Sequence, residues 1–338
     1  MTAQQVLSTR IVDLLQVPAQ QRGLDWLKTS LQSAIELELS TIPPYLCAWW
    51  SIQDSTTTAA TLIRSIIIEE MLHMGLACNM LTTIDGTPNI TIPVYPGHLP
   101  GGVRPQLTVY LAGLSQDFLT DVCMQIEYPE FGPIALFRGR SYPTIGAFYD
   151  AIHDAFHFLN PTLTGHNQLT TIFSSIGQSL YAITTMDDVD RAIHQIKVQG
   201  EGTSQSPDGG DFGNTEELAH YYKFAEIYHG HELIQQNGRW VYEGPAIPFP
   251  DTYPMAQVPA GGWPNPPQNV QQLLNEFNMN FQLILTHLEN AWKDGSEDEL
   301  ETAIGLMFQL TSPATDLMKI SLPGGGGNYG PDFRMSAD

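Results

Sequence analysis

Cysteine is scarce in this chain of 338 residues: Cys47, Cys78 and Cys123 are the only 3, and no two form a C-x-x-C pair. An odd, scattered set excludes a disulfide framework and fits reduced thiols in a cytoplasmic protein. Basic residues are few as well. Lys and Arg number 14 against 36 Asp and Glu, a formal charge of −22. Phosphate backbones repel so acidic a chain, which argues against nucleic acid and anionic membranes as partners. No apolar run approaches the ~18 residues of a membrane span. The opening stretch MTAQQVLSTRIVDLLQVP also lacks the apolar centre of a secretory signal.

What is present is a core. The hydrophobic fraction is 42%, a globular value. The most informative stretch is IIIEEMLHMGLACNML, starting at Ile66. It reads as a helix apolar nearly all round, interrupted by two carboxylates and one imidazole. Glu70 and His73 share one helical face about one turn apart. Such a pair on the inner face of a bundle helix is half of a two-metal site. TEELAHYYKF repeats the spacing with Glu217 and His220. Two further glutamates would complete the set, and the candidates are Glu38 and Glu201. Glu38 lies in the apolar stripe Leu31, Ile35, Ile42, whereas Glu36 falls off it. Glu201 stands between two glycines, one residue off the stripe through Ile196 and Gly200, where a local widening of the helix would turn it inward. Burying so many carboxylates without partners costs several kcal/mol each, and a metal removes that cost.

Along the chain, core helices are expected at about 23–52, 58–82, 187–201 and 215–235. Pro43 and Pro44 should break or kink the first, and Asn214 or Thr215 should cap the fourth. Between the second and third lies a crossover insertion, 86–186, far beyond the usual few residues. It carries predicted helices near Ser115–Cys123 and over 144–159. His153 and His157, at i and i+4 on the latter, have a zinc-chelating spacing. Asp154 stands where the protease motif H-E-x-x-H needs Glu, and the pair reads as structural or surface. A Pro- and Gly-rich wrap and a helical pair (269–291 and 298–319) occupy 238–320. A polar tail, 321–338, is expected to be mobile. The expected architecture is all-α: a single ferritin-like four-helix bundle over 1–338, with a long crossover insertion and extra C-terminal helices.

The segments LELSTIPPYL, EEMLHMGLACNML, YPGHLPGG, IEYPE, QGEG and LAHYYKF together resemble the ferritin-like domain of iminophenyl-pyruvate dimer synthases of violacein and indolocarbazole pathways. The likeness covers roughly residues 23–235. It implies metal ligands at Glu38, Glu70, His73, Glu201, Glu217 and His220, and oxidative chemistry on amino-acid-derived imines. Glutamate-rich sites with one histidine per metal suit two irons per chain, or manganese, and leave positions for dioxygen. In that scheme Glu70 and Glu217 bridge, and Glu38 and Glu201 are terminal. A c-type haem attachment motif is absent, which leaves noncovalent haem open. Tyr45, Trp49 and Tyr221 are candidates for a substrate pocket. The expected activity is a dinuclear-metal oxidase or oxygenase using dioxygen and a small organic substrate in secondary metabolism. The expected assembly is a monomer or small homo-oligomer. The alternatives are a ferroxidase, an imine-coupling synthase and a bundle with a purely structural metal.

Overall fold

The computed structural model describes residues 10–129, 144–173, 176–201, 207 and 218–335, except for the side chain of Glu201. After a short α1 (Ile11–Gln16), two long apolar helices dominate: α2 (Leu24–Ser51) and α3 (Thr58–Thr82). They pack along each other as a helical hairpin. Thr57 caps α3, its side chain accepting from Ala60 N.

The prolines do not end α2; it runs through Pro43 and Pro44 to Ser51. Each proline removes an N–H that would have bonded the carbonyl four residues earlier. For Pro44 that carbonyl is Ser40 O, and the Tyr95 hydroxyl donates to it at 2.6 Å. The crossover thus repairs one of the bonds that the prolines delete, and the helix continues.

The crossover is a structured layer. Gln116–Phe118, Leu119–Cys123 and Met124–Ile126 run on as one helix, α4, whose middle turn is a π-helix. α5 (Ile145–Leu159) begins at a Thr144 cap and ends at Asn160 in the left-handed conformation. β1 (Thr171–Phe173) and β2 (Gln178–Leu180) form a small antiparallel hairpin, with Ile172 opposite Ser179. This hairpin sits close over α3: a Cβ on Gly75 would stand 3.0 Å from Leu180 Cδ1. α6 (Met186–Glu201) packs on α5, and α7 (His220–His229) packs on α3, α4 and α6.

The fourth core helix is shorter than the expected 215–235. It starts at His220, after Ala219 as N-cap, and stops at Gly230, which adopts a positive φ. The chain then turns into the hairpin of β3 (His231–Gln236) and β4 (Arg239–Ala246). Within the run His231–Gln236 only Leu233 is buried, and both ends of the strand are exposed.

At the C-terminus α8 (Gln268–Asp294), α9 (Glu297–Gln309) and α10 (Thr311–Met318) replace the expected pair, with the second helix split at Leu310. The expected mobile tail is instead seated as far as the described residues run. Tyr329 and Phe333 are buried, and Phe333 lies among Trp50, Phe277 and Phe281 at ring separations of 6.2, 4.8 and 4.9 Å. The glycines at 324–327 all have positive φ, so that run forms a turn rather than a loose linker.

Between α2, α3, the β1–β2 hairpin, α8 and α9 lies an apolar cavity of about 70 Å³, bounded by Leu46, Met74, Phe281, Trp292 and Met307. That is about half the volume of engineered cavities that take up benzene.

Candidate metal centre

The carboxylates and imidazoles singled out in the sequence meet inside the bundle. α2 supplies Glu38, α3 supplies Glu70 and His73, and α7 supplies His220; all are buried. The fifth member is Glu127, one residue beyond α4. The donor atoms fall into two triads, Glu38–Glu70–His73 and Glu70–Glu127–His220, each with its atoms within 4.8 Å of one another. Glu70 belongs to both.

The distances match donors arranged around a common ion. His73 Nδ1 lies 3.8 Å from Glu38 Oε2 and 3.9 Å from Glu70 Oε2. His220 Nδ1 lies 2.8 Å from Glu70 Oε1 and 3.7 Å from Glu127 Oε2. Ligands each ~2.0–2.2 Å from a metal stand ~3–4 Å from one another. His220 Nδ1 is buried and, despite the close approach of Glu70, has no hydrogen-bond partner. A buried ring nitrogen that faces two carboxylates without hydrogen-bond geometry to either fits a metal ligand.

Both rings are held from outside by their other nitrogen. His220 Nε2 donates to Glu69 Oε2 at 2.8 Å, and Lys223 Nζ binds both oxygens of Glu69 at 3.0 and 2.9 Å. His73 Nε2 stands 2.9 Å from Gln199 Oε1 on α6. The orientation of that amide is fixed in turn by β2. Gln178 Oε1 accepts from Gln195 Nε2 at 2.9 Å and from Gln199 Nε2 at 2.8 Å. In this orientation Gln199 presents its oxygen to His73, which pairs with the tautomer that carries its hydrogen on Nε2. In the neutral ring this leaves the Nδ1 lone pair facing the carboxylates, the arrangement typical of metal-ligating histidines.

The carboxylates are steadied too. Tyr149 donates to Glu38 Oε1 at 2.5 Å, and Tyr45 donates to Glu127 Oε1. Burial raises both phenols well above their ordinary range, so they remain protonated donors. Burial, with the charge of Glu70, also pushes Glu38 well up and Glu127 up. Glu70 stays low against its own burial because His220 sits beside it. Burial lowers His73. His220 is raised well above its usual value, the surrounding carboxylates of Glu127, Glu69 and Glu70 outweighing its burial. Metal binding to such a cage is coupled to proton release.

A small cavity of about 30 Å³ opens beside the cage, lined by Glu38, Glu70, His73 and Glu127 and walled by Ile145, Tyr149, Ile196 and Gly200. It has room for about two waters or one dioxygen.

Of the residues expected at the site, Glu38, Glu70, His73 and His220 converge. The side chain of Glu201 and the whole of Glu217 lie outside the described residues. Among the pocket candidates, Tyr45 touches the cage through Glu127. Trp49 packs against the core, and Tyr221 stands edge-on to Tyr128 and Tyr222. Glu127 escaped the sequence reading because it belongs to no E-x-x-H pair and precedes an irregular stretch. Its signal was the apolar stripe Leu119, Cys123, which Glu127 continues.

A family model described as ferritin-like matches residues 31–229. The chain belongs to the ferritin-like family. The solved structure of a ferritin-like protein from Caulobacter vibrioides superposes with a TM-score of 0.63 at 22% identity, over 93% of this chain and 99% of that one. At that identity the likeness concerns the fold. No curated protein matches the chain. In this ferritin-like protein the bundle carries Glu and His groupings that could bind metal. Among the described residues no helix is long and apolar enough to cross a membrane.

Proposed function

We propose that this chain is a dioxygen-activating oxidoreductase whose cage holds two redox-active ions, iron with manganese as the alternative. Its substrate would be a small organic molecule, an amino-acid-derived imine being the family's example. The observation that carries this reading is the pair of Nδ1 atoms facing carboxylates, each ring locked through Nε2 from outside. Glu38, Glu70 and His73 would hold one ion, and Glu70, Glu127 and His220 the other. Bound there, the ions would supply dioxygen reduction coupled to oxidation of the substrate.

The chain's own residues prepare that chemistry. Three carboxylates, Glu38, Glu70 and Glu127, offset most of the charge of two divalent cations, while Glu69 is neutralised by Lys223 and contributes no further net charge. Tyr149 and Tyr45 orient Glu38 and Glu127 and keep protons on their phenol oxygens at the edge of the site. The apolar walls Ile145 and Ile196 limit bulk water, which strengthens each electrostatic contact within.

A second reading, oxidation of ferrous iron itself, is favoured by the smallness of the cavity, which suits dioxygen better than an organic molecule. The two separate in one experiment. The protein is loaded anaerobically with ferrous iron, exposed to oxygen, and sized by gel filtration. The proposed function predicts about two irons per chain, a monomer or small oligomer, and oxygen uptake that continues only with an organic co-substrate. Uptake sustained by iron alone in a cage-sized assembly would establish the second reading. His73→Ala and His220→Ala should each lower iron content by about one ion per chain. Unchanged iron in both would sink either reading.

A further inference from the structure

A second cluster of metal-ligating side chains lies on the outer face, away from the cage. His153 and His157 stand one turn apart on α5, and Asp190 reaches them from α6. His153 Nε2 is 3.0 Å and His157 Nε2 is 2.7 Å from the same oxygen, Asp190 Oδ1. The two ring centroids are 4.5 Å apart. All three side chains are partly open to solvent, with exposures of 37%, 46% and 41%. The spacing in sequence supplies only two ligands; the packing of α6 on α5 adds the third.

We propose that His153, His157 and Asp190 form a surface site for a divalent d-block cation, zinc being the best match. Two imidazoles and one carboxylate suit zinc and its neighbours far better than magnesium or calcium, which take oxygen donors. Both imidazole nitrogens already lie within the ~3.3 Å edge of a tetrahedral zinc site from Asp190 Oδ1, and all three donors lie within 4.8 Å of one another, so binding requires side-chain rotations rather than backbone movement. Solvent exposure leaves the fourth position to water. The net charge of −22 raises the cation concentration near the surface.

The ion would clamp α5 to α6. Tyr149, one turn before His153, supports Glu38, and Gln199, further along α6, supports His73. A surface cation would thereby stiffen two of the outer supports of the buried cage without touching its donors.

The test uses the full chain with its buried site first saturated with iron, titrated with zinc by calorimetry and with cobalt by visible absorption. The expected result is one additional zinc per chain at micromolar affinity or tighter. His157→Ala and Asp190→Asn should weaken it by about tenfold or more while leaving iron content unchanged. Saturating zinc should also raise the unfolding temperature of the parent and not that of the variants. No additional zinc in the parent would overturn the site, as would equal affinity in all three proteins. Iron content reports on the buried cage separately, so failure of one assignment is distinguishable from failure of the other.

Discussion

Gln178 touches no cage residue, yet its amide oxygen accepts from Gln199, whose own oxygen faces His73 Nε2 and favours the hydrogen there. Glu69 does the same for His220, with Lys223 compensating its charge. Outer partners of this kind contribute about 10–100-fold to metal affinity. Gln199→Leu and Glu69→Gln should each weaken iron binding by about that much and leave the fold intact, as competition against a chelator would measure. Affinity unchanged in both would mean that the rings need no external lock. At this scale the sequence was partly legible. Glu70 and His73 were visible because two polar residues interrupt an otherwise apolar helix, and Glu38 because it sits in an apolar stripe. Glu127 continues the short stripe of Leu119 and Cys123, a signal too brief to single out one carboxylate before an irregular stretch.

Among the elements, Asn79 of α3 is a buried junction. Its Nδ2 donates to Leu169 O and Tyr181 O, both at 2.9 Å. Its Oδ1 accepts from Leu169 N at 3.2 Å and from Trp292 Nε1 at 2.9 Å. One amide thus ties the bundle to both flanks of the β1–β2 hairpin and to α8. Asn79→Ala would leave these partners unpaired in the core, at a cost of about 2–4 kcal/mol. Urea unfolding of the two proteins measures it, and a difference within error would contradict the role. The junction between α7 and β3 rests on Glu226, whose Oε1 accepts from Leu233 N at 2.7 Å. Burial pushes its carboxyl up to about 7, with Glu232 adding to the effect. The folded state therefore holds this proton more tightly than the unfolded chain. The stability it lends is full below the ordinary carboxylate range and declines as pH rises toward about 7. Unfolding followed across that window should show a decline in the parent that is smaller in Glu226→Gln; parallel profiles would refute it. Helix–strand switches such as the one at Gly230 were hidden in the sequence, because a helical stripe and a strand can share the same few apolar residues. The extent of α2 was legible, but what spares it a break at the prolines was not: the hydroxyl that rescues Ser40 O comes from Tyr95, far along the chain.

For the molecule as a whole, the insertion that separates the two halves of the bundle is part of the site rather than a tether. It delivers Glu127, Tyr149 and the Gln178 lock, while the C-terminal helices and the seated tail close the opposite flank over an apolar cavity. The bundle itself was legible, since two long apolar helices with buried carboxylates allow few other folds. The layers around it were not, because their burial depends on aromatic residues meeting from distant segments, as Phe333 meets Trp50. The central claim is that this architecture builds one cage for two ions sharing Glu70. The most direct measurement is a crystal of the iron- or manganese-loaded protein, with anomalous scattering collected at the metal edge. Two peaks are predicted, one bounded by Glu38, Glu70 and His73 and the other by Glu70, Glu127 and His220. A single peak there, or none while metal occupies only the surface cluster at Asp190, would contradict the account.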